Sequence, residues 1–259
     1  MRANNSANFV EHLSWDKIAA RIAKGAAAIL PIGAGAKQHG FHLPMNTDRI
    51  QAEAFASRLA GKINALVWPT VSYGYYPAFS AYAGSCSLSQ NTFESLIGDI
   101  TAGLLGHGCE AVFVLDTGIS TIAPVDDVLT RIGSCKTLHL KIHDGVRYKL
   151  AVQRIVQQKY GSHADEIETS LMLALGLHLV DMERAEASPD IQRARPGPLT
   201  PFDPSSPNYS PSGSFGDPAS ATRAKGELFF AAIIDDLVEQ TENFLADTSA
   251  RRALSESSS

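Results

Sequence analysis

The chain of 259 residues is 44% hydrophobic and 19% charged, with a net charge of −5 at pH 7. This composition predicts a globular protein with a sizeable core, and the absence of a long basic run argues against nucleic acid as a partner. No apolar run approaches the roughly 20 residues of a membrane span, the N-terminus lacks an apolar signal core, and three cysteines without metal-site spacing indicate reduced buried thiols. We therefore expect a cytoplasmic protein with no membrane partner.

Helices and strands alternate along the chain. Ser14 precedes a helix, Thr47 or Asp48 opens a second, Ser89 caps a third, and a fourth ends at Ile132. Four apolar runs predict buried strands over residues 26–32, 65–71, 111–115 and 137–142. This alternation predicts an α/β fold, a three-layer α/β/α sandwich with a mostly parallel central sheet.

The loop after the first strand carries most of the reactive side chains. Its glycines permit tight turns, and it places five polar groups within twelve residues: Lys37, Gln38, His39, His42 and Asp48. Such a density of metal-binding groups after a buried strand is typical of a pocket at the carboxyl edge of a parallel sheet.

An aromatic loop follows the second strand. Tyr75, Tyr76, Phe79 and Tyr82 either form the wall of a substrate pocket or pack on the sheet as ordinary loop aromatics, and the sequence leaves both interpretations open. After the third strand, the loop 116–121 carries Asp116, an acid, base or loop cap, and Ser120.

A helix predicted to begin at His163 carries two further acids. Glu166 and Glu168 point about 200° apart on a helix, so we expect one of them to share the inward face with His163. Residues 188–216 are rich in Pro, Ser and Gly and predict a long loop, and the last helix is expected to end near Phe244. We predict one domain over 1–248 and a disordered tail over 249–259.

Four separated motifs resemble those of the creatininase (creatinine amidohydrolase) family, in the family's order. They are QHGxHLPxxTD at 38–48, the YG segment from Tyr73, HAxxxETS at 163–170, and GDPxxAT…KG at 216–226. The resemblance covers about residues 29–244 and implies a creatininase-like fold, a hydrolase active on a cyclic amide, and assembly into a homo-oligomer, in the family a hexamer. It also implies two divalent metals, for which His39 and Asp48 match family ligands.

Three other ligand positions of the family are substituted here, by Lys37, Gly118 and Ser120. An ammonium beside a divalent ion costs about 8 kcal/mol, from about 4 kcal/mol per pair of unit charges at ~4 Å. We therefore favour a metal-free site in which Lys37 replaces the first metal and pairs with Asp48. The alternative is one divalent ion at most (zinc, manganese or iron), bound by His39 and Asp48 with Glu168.

Two functions remain in competition. The first is a hydrolase that opens a small cyclic amide, lactone or related ring, with His163 transferring a proton and Lys37 stabilising oxyanion charge or acting as a base. Glu168 and Asp116 are further catalytic candidates, and the small-molecule substrate would contact Tyr75, Tyr76, Tyr82, Ser120 and Glu166. The alternative is a non-catalytic binder or structural homologue that has lost metal-dependent activity.

Overall fold

A four-stranded parallel sheet forms the centre of the computed structural model, which describes residues 5–188, 195 and 197–257. The strands β1 to β4 lie in the order β2-β1-β3-β4, and every neighbouring pair is parallel. They span Ala27–Ile32, Ala65–Val67, Val112–Asp116 and Thr137–Lys141. All residues of β1 and β3 are buried, as expected for inner strands of a sheet covered on both faces.

Helices cover both faces of the sheet, which confirms the predicted α/β architecture. The helices α1 to α7 span Trp15–Ile22, Thr47–Ala60, Gln90–Gly106, Ile122–Ile132, Val146–Ile155, Glu166–Gly176 and Arg223–Ser257. One face packs on α2, α5, α6 and α7 through a core that includes Phe55, Phe113 and Phe229. The other packs on α3 and α4 through a core that includes Phe93 and Val125.

Several details differ from the sequence prediction. Strand β2 ends at Val67, and Val71 keeps only an isolated bridge to Ile32. Helix α5 is not predicted, because residues such as Val146 and Leu150 are exposed and blur its apolar face. Helix α7 runs past the expected end at Phe244 to Ser257, so it includes most of the segment for which we predicted disorder, and residues 258 and 259 lie outside the described part.

The carboxyl ends of the strands converge with the loops that carry the polar side chains. A Cβ at Gly33, just after β1, would lie 2.5 Å from the backbone oxygen of Asp48, so only glycine lets the first turn of α2 approach the strand this closely. This contact places Asp48 at the edge of the sheet.

The structure bears on the predictions about membrane spans and about the cysteines. Among the described helices, none is long and apolar enough to span a membrane. The three cysteines are free, but only Cys109 is buried, whereas Cys86 and Cys135 are exposed, so the prediction of buried thiols is wrong for two of them.

Candidate functional site

A cavity of about 420 Å³ opens at the carboxyl edge of the sheet. Its wall combines the loops after all four strands and the segment before α6 with helices α2, α5 and α6. Residues that line it include Lys37, Asp48, Gln51, Phe79, Ser120, His143, Tyr148, His163 and Glu168. The predicted position of the pocket is thus confirmed.

Lys37 and Asp48 form a buried ion pair in the wall of this cavity. The Lys37 Nζ atom lies 2.7 Å from Asp48 Oδ2 and 5.0 Å from the centroid of the Phe79 ring. Burial alone would raise the pKa of Asp48, but the nearby Lys37 and His39 outweigh it and hold that pKa below its ordinary value. Asp48 is therefore a carboxylate, and Lys37 is its counter-ion.

His39 is completely buried beside this pair. Its Nδ1 atom lies 2.8 Å from the backbone oxygen of Lys37, and a carbonyl only accepts, so Nδ1 carries a hydrogen. The other ring nitrogen, Nε2, faces Asp48 Oδ1 at 2.9 Å and Glu168 Oε1 at 3.7 Å. A proton or a cation must lie between Nε2 and these two oxygens.

The Nδ1 atom of His163 also faces Glu168. Its Nε2 atom donates to the backbone oxygen of Gln38 at 2.8 Å, so its Nδ1 lone pair faces Glu168 Oε2 at 3.7 Å. Burial, with Lys37 and His39 nearby, holds the pKa of His163 well below its ordinary value, so the ring is neutral. Burial also raises the pKa of Glu168 to about 7.

The backbone before α6 fixes the orientation of these two side chains. Helix α6 begins at Glu166 rather than at His163, because Asp165 caps it by accepting from the amides of Ile167 and Glu168. His163 instead forms an antiparallel bridge with Phe215. Ala164 adopts a left-handed φ of 48°, and its amide donates to Glu168 Oε2 at 2.6 Å. This strained turn aims both side chains at the cavity.

Comparison with known proteins identifies the family. Residues 11–241 match the family model "Creatininase: Creatinine amidohydrolase". The chain belongs to the creatininase family. It is 29% identical over 253 residues to the creatinine amidohydrolase of Pseudomonas putida, covering 89% of this chain and 95% of that protein.

Two further comparisons agree with this membership. The chain is 28% identical over 232 residues to a mycofactocin precursor peptide peptidase of Mycobacterium tuberculosis, covering 84% and 85% of the two chains. A solved structure described as creatininase Mn superposes with a TM-score of 0.77 at 28% identity, covering 92% of this chain and 98% of that chain. The predicted creatininase-like fold is confirmed.

One divalent ion fits the side chains of this family member, whereas the family's pair does not. Ligand atoms of His39, His163 and Glu168 all lie within 4.8 Å of one another, and the ring hydrogens leave a lone pair of each imidazole directed inward. Lys37, Gly118 and Ser120 supply no ligand for a second ion. The preference for a metal-free site is not supported, because this triad is present and a related structure carries manganese in its description.

Asp116 lies outside the cavity wall. Its Oδ1 atom accepts from the Gly118 amide and from Thr121 Oγ1, both at 2.8 Å, and Oδ2 lies 3.4 Å from His139 Nε2. Asp116 therefore caps the loop after β3, and we correct its assignment as a catalytic residue.

The tyrosines predicted to contact substrate do not reach the cavity. Tyr76 donates its hydroxyl to the backbone oxygen of Cys86 and Tyr82 to that of Ser210, both at 2.7 Å, while Tyr75 packs on the core beneath α3 and α4. Burial raises the pKa of Tyr76 and Tyr82 to about 12. Within this loop, Phe79 lines the cavity instead.

Of the two other residues predicted to contact substrate, Ser120 lines the cavity and Glu166 does not. Glu166 is fully buried away from the cavity, where its carboxylate accepts from the amides of Gln157 and Gln158 and pairs with Lys225. Its role is structural, and the assignment to substrate binding is corrected. Ser120 does line the cavity, although its hydroxyl donates to the backbone oxygen of Tyr75 at 2.8 Å.

The cavity wall also includes Gln51, His143 and Tyr148, which the sequence analysis does not propose as site residues. His143 follows β4, and its Nδ1 atom lies 3.4 Å from the Tyr148 hydroxyl. Burial lowers the pKa of His143 and raises that of Tyr148. The signal for His143 is its place directly after a strand, whereas Tyr148 lies on the unpredicted helix α5.

Proposed function

We propose that this protein is a hydrolase that opens a small cyclic amide, lactone or related ring at the 420 Å³ cavity, with at most one divalent ion. The supporting observation is the buried cluster of Lys37, Asp48, His39, His163 and Glu168 in its wall. The names of the relatives, an amidohydrolase and a peptidase, both denote cleavage of an amide bond. Family membership and the cluster therefore favour the same reaction class.

Lys37 supplies positive charge where oxyanion charge develops. Lys37 is 7% exposed and its ammonium is held by Asp48, so it needs no reorganisation when a carbonyl oxygen becomes negative. One hydrogen is directed to Asp48, and the others are free for the substrate oxygen.

Glu168 and His163 transfer the proton from the attacking water to the leaving group. A carboxylate with a pKa of about 7 is matched to accepting a proton from water near neutral pH. The neutral His163 ring, held by the backbone oxygen of Gln38, offers Nδ1 to Glu168 and can pass that proton to the leaving group. The Phe79 ring packs against the His163 ring, with their centroids 4.2 Å apart.

His39, His163 and Glu168 are the residues that would hold a divalent ion here. Such an ion would supply carbonyl polarisation and an acidified water at pH 7. Elemental analysis of protein purified without added metal tests whether the reaction uses an ion. About one equivalent of metal indicates metal-assisted hydrolysis, and none indicates proton transfer by the side chains alone.

A screen of lactams, lactones, cyclic ureas and a short linear peptide tests the reaction, with the gain of one water followed by mass spectrometry. We expect ring opening by the wild type and a loss of at least about 100-fold in Lys37→Met and Glu168→Gln. Lys62→Met, at an exposed lysine outside the cavity, is the matched control. Turnover that survives both substitutions would contradict the mechanism.

The second candidate is a binder or structural homologue without catalysis. It is favoured by Gly118 and Ser120, which stand where the resemblance places two metal ligands. Tight binding of a ring compound by the wild type, with complete inertness across the screen, would support this candidate over hydrolysis.

A further inference from the structure

Gln51 is an unpaired polar side chain in the cavity wall. It is 3% exposed, its Nε2 atom has no hydrogen-bond partner among the described residues, and its Oε1 atom accepts no hydrogen bond from them. Five other buried side-chain atoms of the described part also lack a hydrogen-bond partner, but none of their residues lines the cavity. Gln51 therefore combines a missing partner with a position where a ligand can supply it.

An unpaired buried amide is costly, and native proteins keep few of them. A methionine or leucine of similar volume would fill the same space without this cost. The retention of glutamine at the cavity is therefore explained most directly by a ligand that completes its hydrogen bonds.

The surroundings of Gln51 define the chemistry of that ligand group. Gln51 lies one helical turn after Asp48 on α2, beside the ionic cluster, whereas Ile167 and Leu171 of α6 add apolar surface to the cavity. An anionic group would be drawn to Lys37 instead, so the partner of the uncharged Gln51 is a neutral polar group.

We infer that Gln51 determines specificity by pairing with the N–H and C=O edge of a cyclic amide. A primary amide carries a donor and an acceptor side by side, and a ring amide presents the complementary pair. A lactone of the same ring size offers acceptors alone and forms at most one of the two hydrogen bonds. The nature of the ligand rests on the proposed function, but the binding preference does not require turnover.

Binding of δ-valerolactam and δ-valerolactone tests this inference directly. Affinities are measured by NMR titration at pH 7 in the Glu168→Gln background, so that both rings survive the titration. We expect the lactam to bind about 3- to 10-fold more tightly than the lactone, the range of one hydrogen bond. Adding Gln51→Met should remove this preference, whereas Gln153→Met, an exposed matched control on α5, should retain it.

Thermal unfolding gives a second, ligand-free measurement. Because Gln51→Met removes an unpaired donor, we expect its Tm to rise by about 2–6 °C. A fall in Tm would show that the amide is satisfied within the fold and would overturn the inference. So would a lactam preference that survives Gln51→Met, or the absence of lactam binding or preference in the Glu168→Gln background. Failure of hydrolysis alone would affect only the proposed function.

Discussion

The ammonium of Lys37 and the carboxylate of Asp48 meet at 2.7 Å inside the protein, at the centre of the site. The resemblance places a glutamate of the creatininase family at the position of Lys37, and its Asp at the position of Asp48. A salt bridge therefore stands where the resemblance implies two carboxylate ligands of a metal ion. Since the pair is balanced in charge, Asp48 can remain ionised without a metal at this point.

Replacing Lys37 by glutamate should increase the capacity of the site for metal. The change moves the local charge by two units and restores a carboxylate beside Asp48. We expect Lys37→Glu to bind at least one more equivalent of zinc or manganese than the wild type, measured by calorimetric titration after dialysis against chelator. Lys62→Glu, which makes the same charge change on the surface, should leave the stoichiometry unchanged. Equal metal uptake by Lys37→Glu and the wild type would show that Lys37 does not occupy a metal position.

The sequence is informative about this cluster because its members follow strands or share a motif. His39 and Asp48 lie in one loop, and the pairing of Lys37 with Asp48, predicted from charge, is present in the structure. Tyr76 and Glu166 were misassigned because residue type does not reveal which backbone groups a side chain satisfies. Gln51 could not be predicted, since an unpaired amide is recognised only once its neighbours are in place.

The stability of the metal-free protein should depend on pH through Glu168. Its pKa is raised from 4.5 to about 7 in the folded state, chiefly by burial, so the folded chain binds more protons than the unfolded chain between these values. The free energy of unfolding should therefore fall as pH rises from about 4.5 to about 7, by at most about 3 kcal/mol.

Urea unfolding in chelator at pH 5 and pH 8 measures this dependence. Glu168→Gln cannot titrate, so the pH difference should be smaller in the variant than in the wild type by that amount. Asp165 also has a raised pKa, but it is present in both proteins and cancels in the comparison. An identical pH dependence of the two proteins would contradict a raised pKa at Glu168.

The resemblance places a histidine at position 118. The effect on stability of substituting Gly118 by histidine should depend on the side chain at Thr121. A Cβ at Gly118 would collide with Thr121 Oγ1 and lie 3.3 Å from Asp116 Oδ1. We expect Gly118→His to lose about 1–3 kcal/mol of stability through overpacking. Thr121→Ala alone should lose about 1 kcal/mol, because its hydroxyl bonds to Asp116.

The double variant should be less destabilised than the sum of the two single variants. Thr121→Ala removes the colliding oxygen, so the two changes share one cause of strain, and contacting residues couple by about 0.5–3 kcal/mol. Urea unfolding of the four proteins of this cycle gives the coupling energy. Simple additivity would mean that the loop after β3 moves away from Thr121 when a side chain is added.

Glu166 and Lys225 should behave as a structural pair that does not affect ligand binding. Glu166 is fully buried and accepts two backbone amides, while Lys225 also donates to the backbone oxygen of Ser220 at 2.8 Å. Removing one partner of a buried pair leaves an uncompensated charge and costs about 3–5 kcal/mol, whereas neutralising both is often nearly neutral. We expect Glu166→Gln and Lys225→Met each to lower the free energy of unfolding by about that amount.

The combined variant Glu166→Gln with Lys225→Met should recover most of this loss, because no buried charge remains and a glutamine oxygen still accepts from the amides of Gln157 and Gln158. In the Glu168→Gln background, these two substitutions should leave the affinity for δ-valerolactam unchanged, since neither residue lines the cavity. Weakened lactam binding by a folded double variant would show that Glu166 contributes to substrate binding. Unrecovered stability would instead assign the loss to hydrogen-bond geometry rather than to charge.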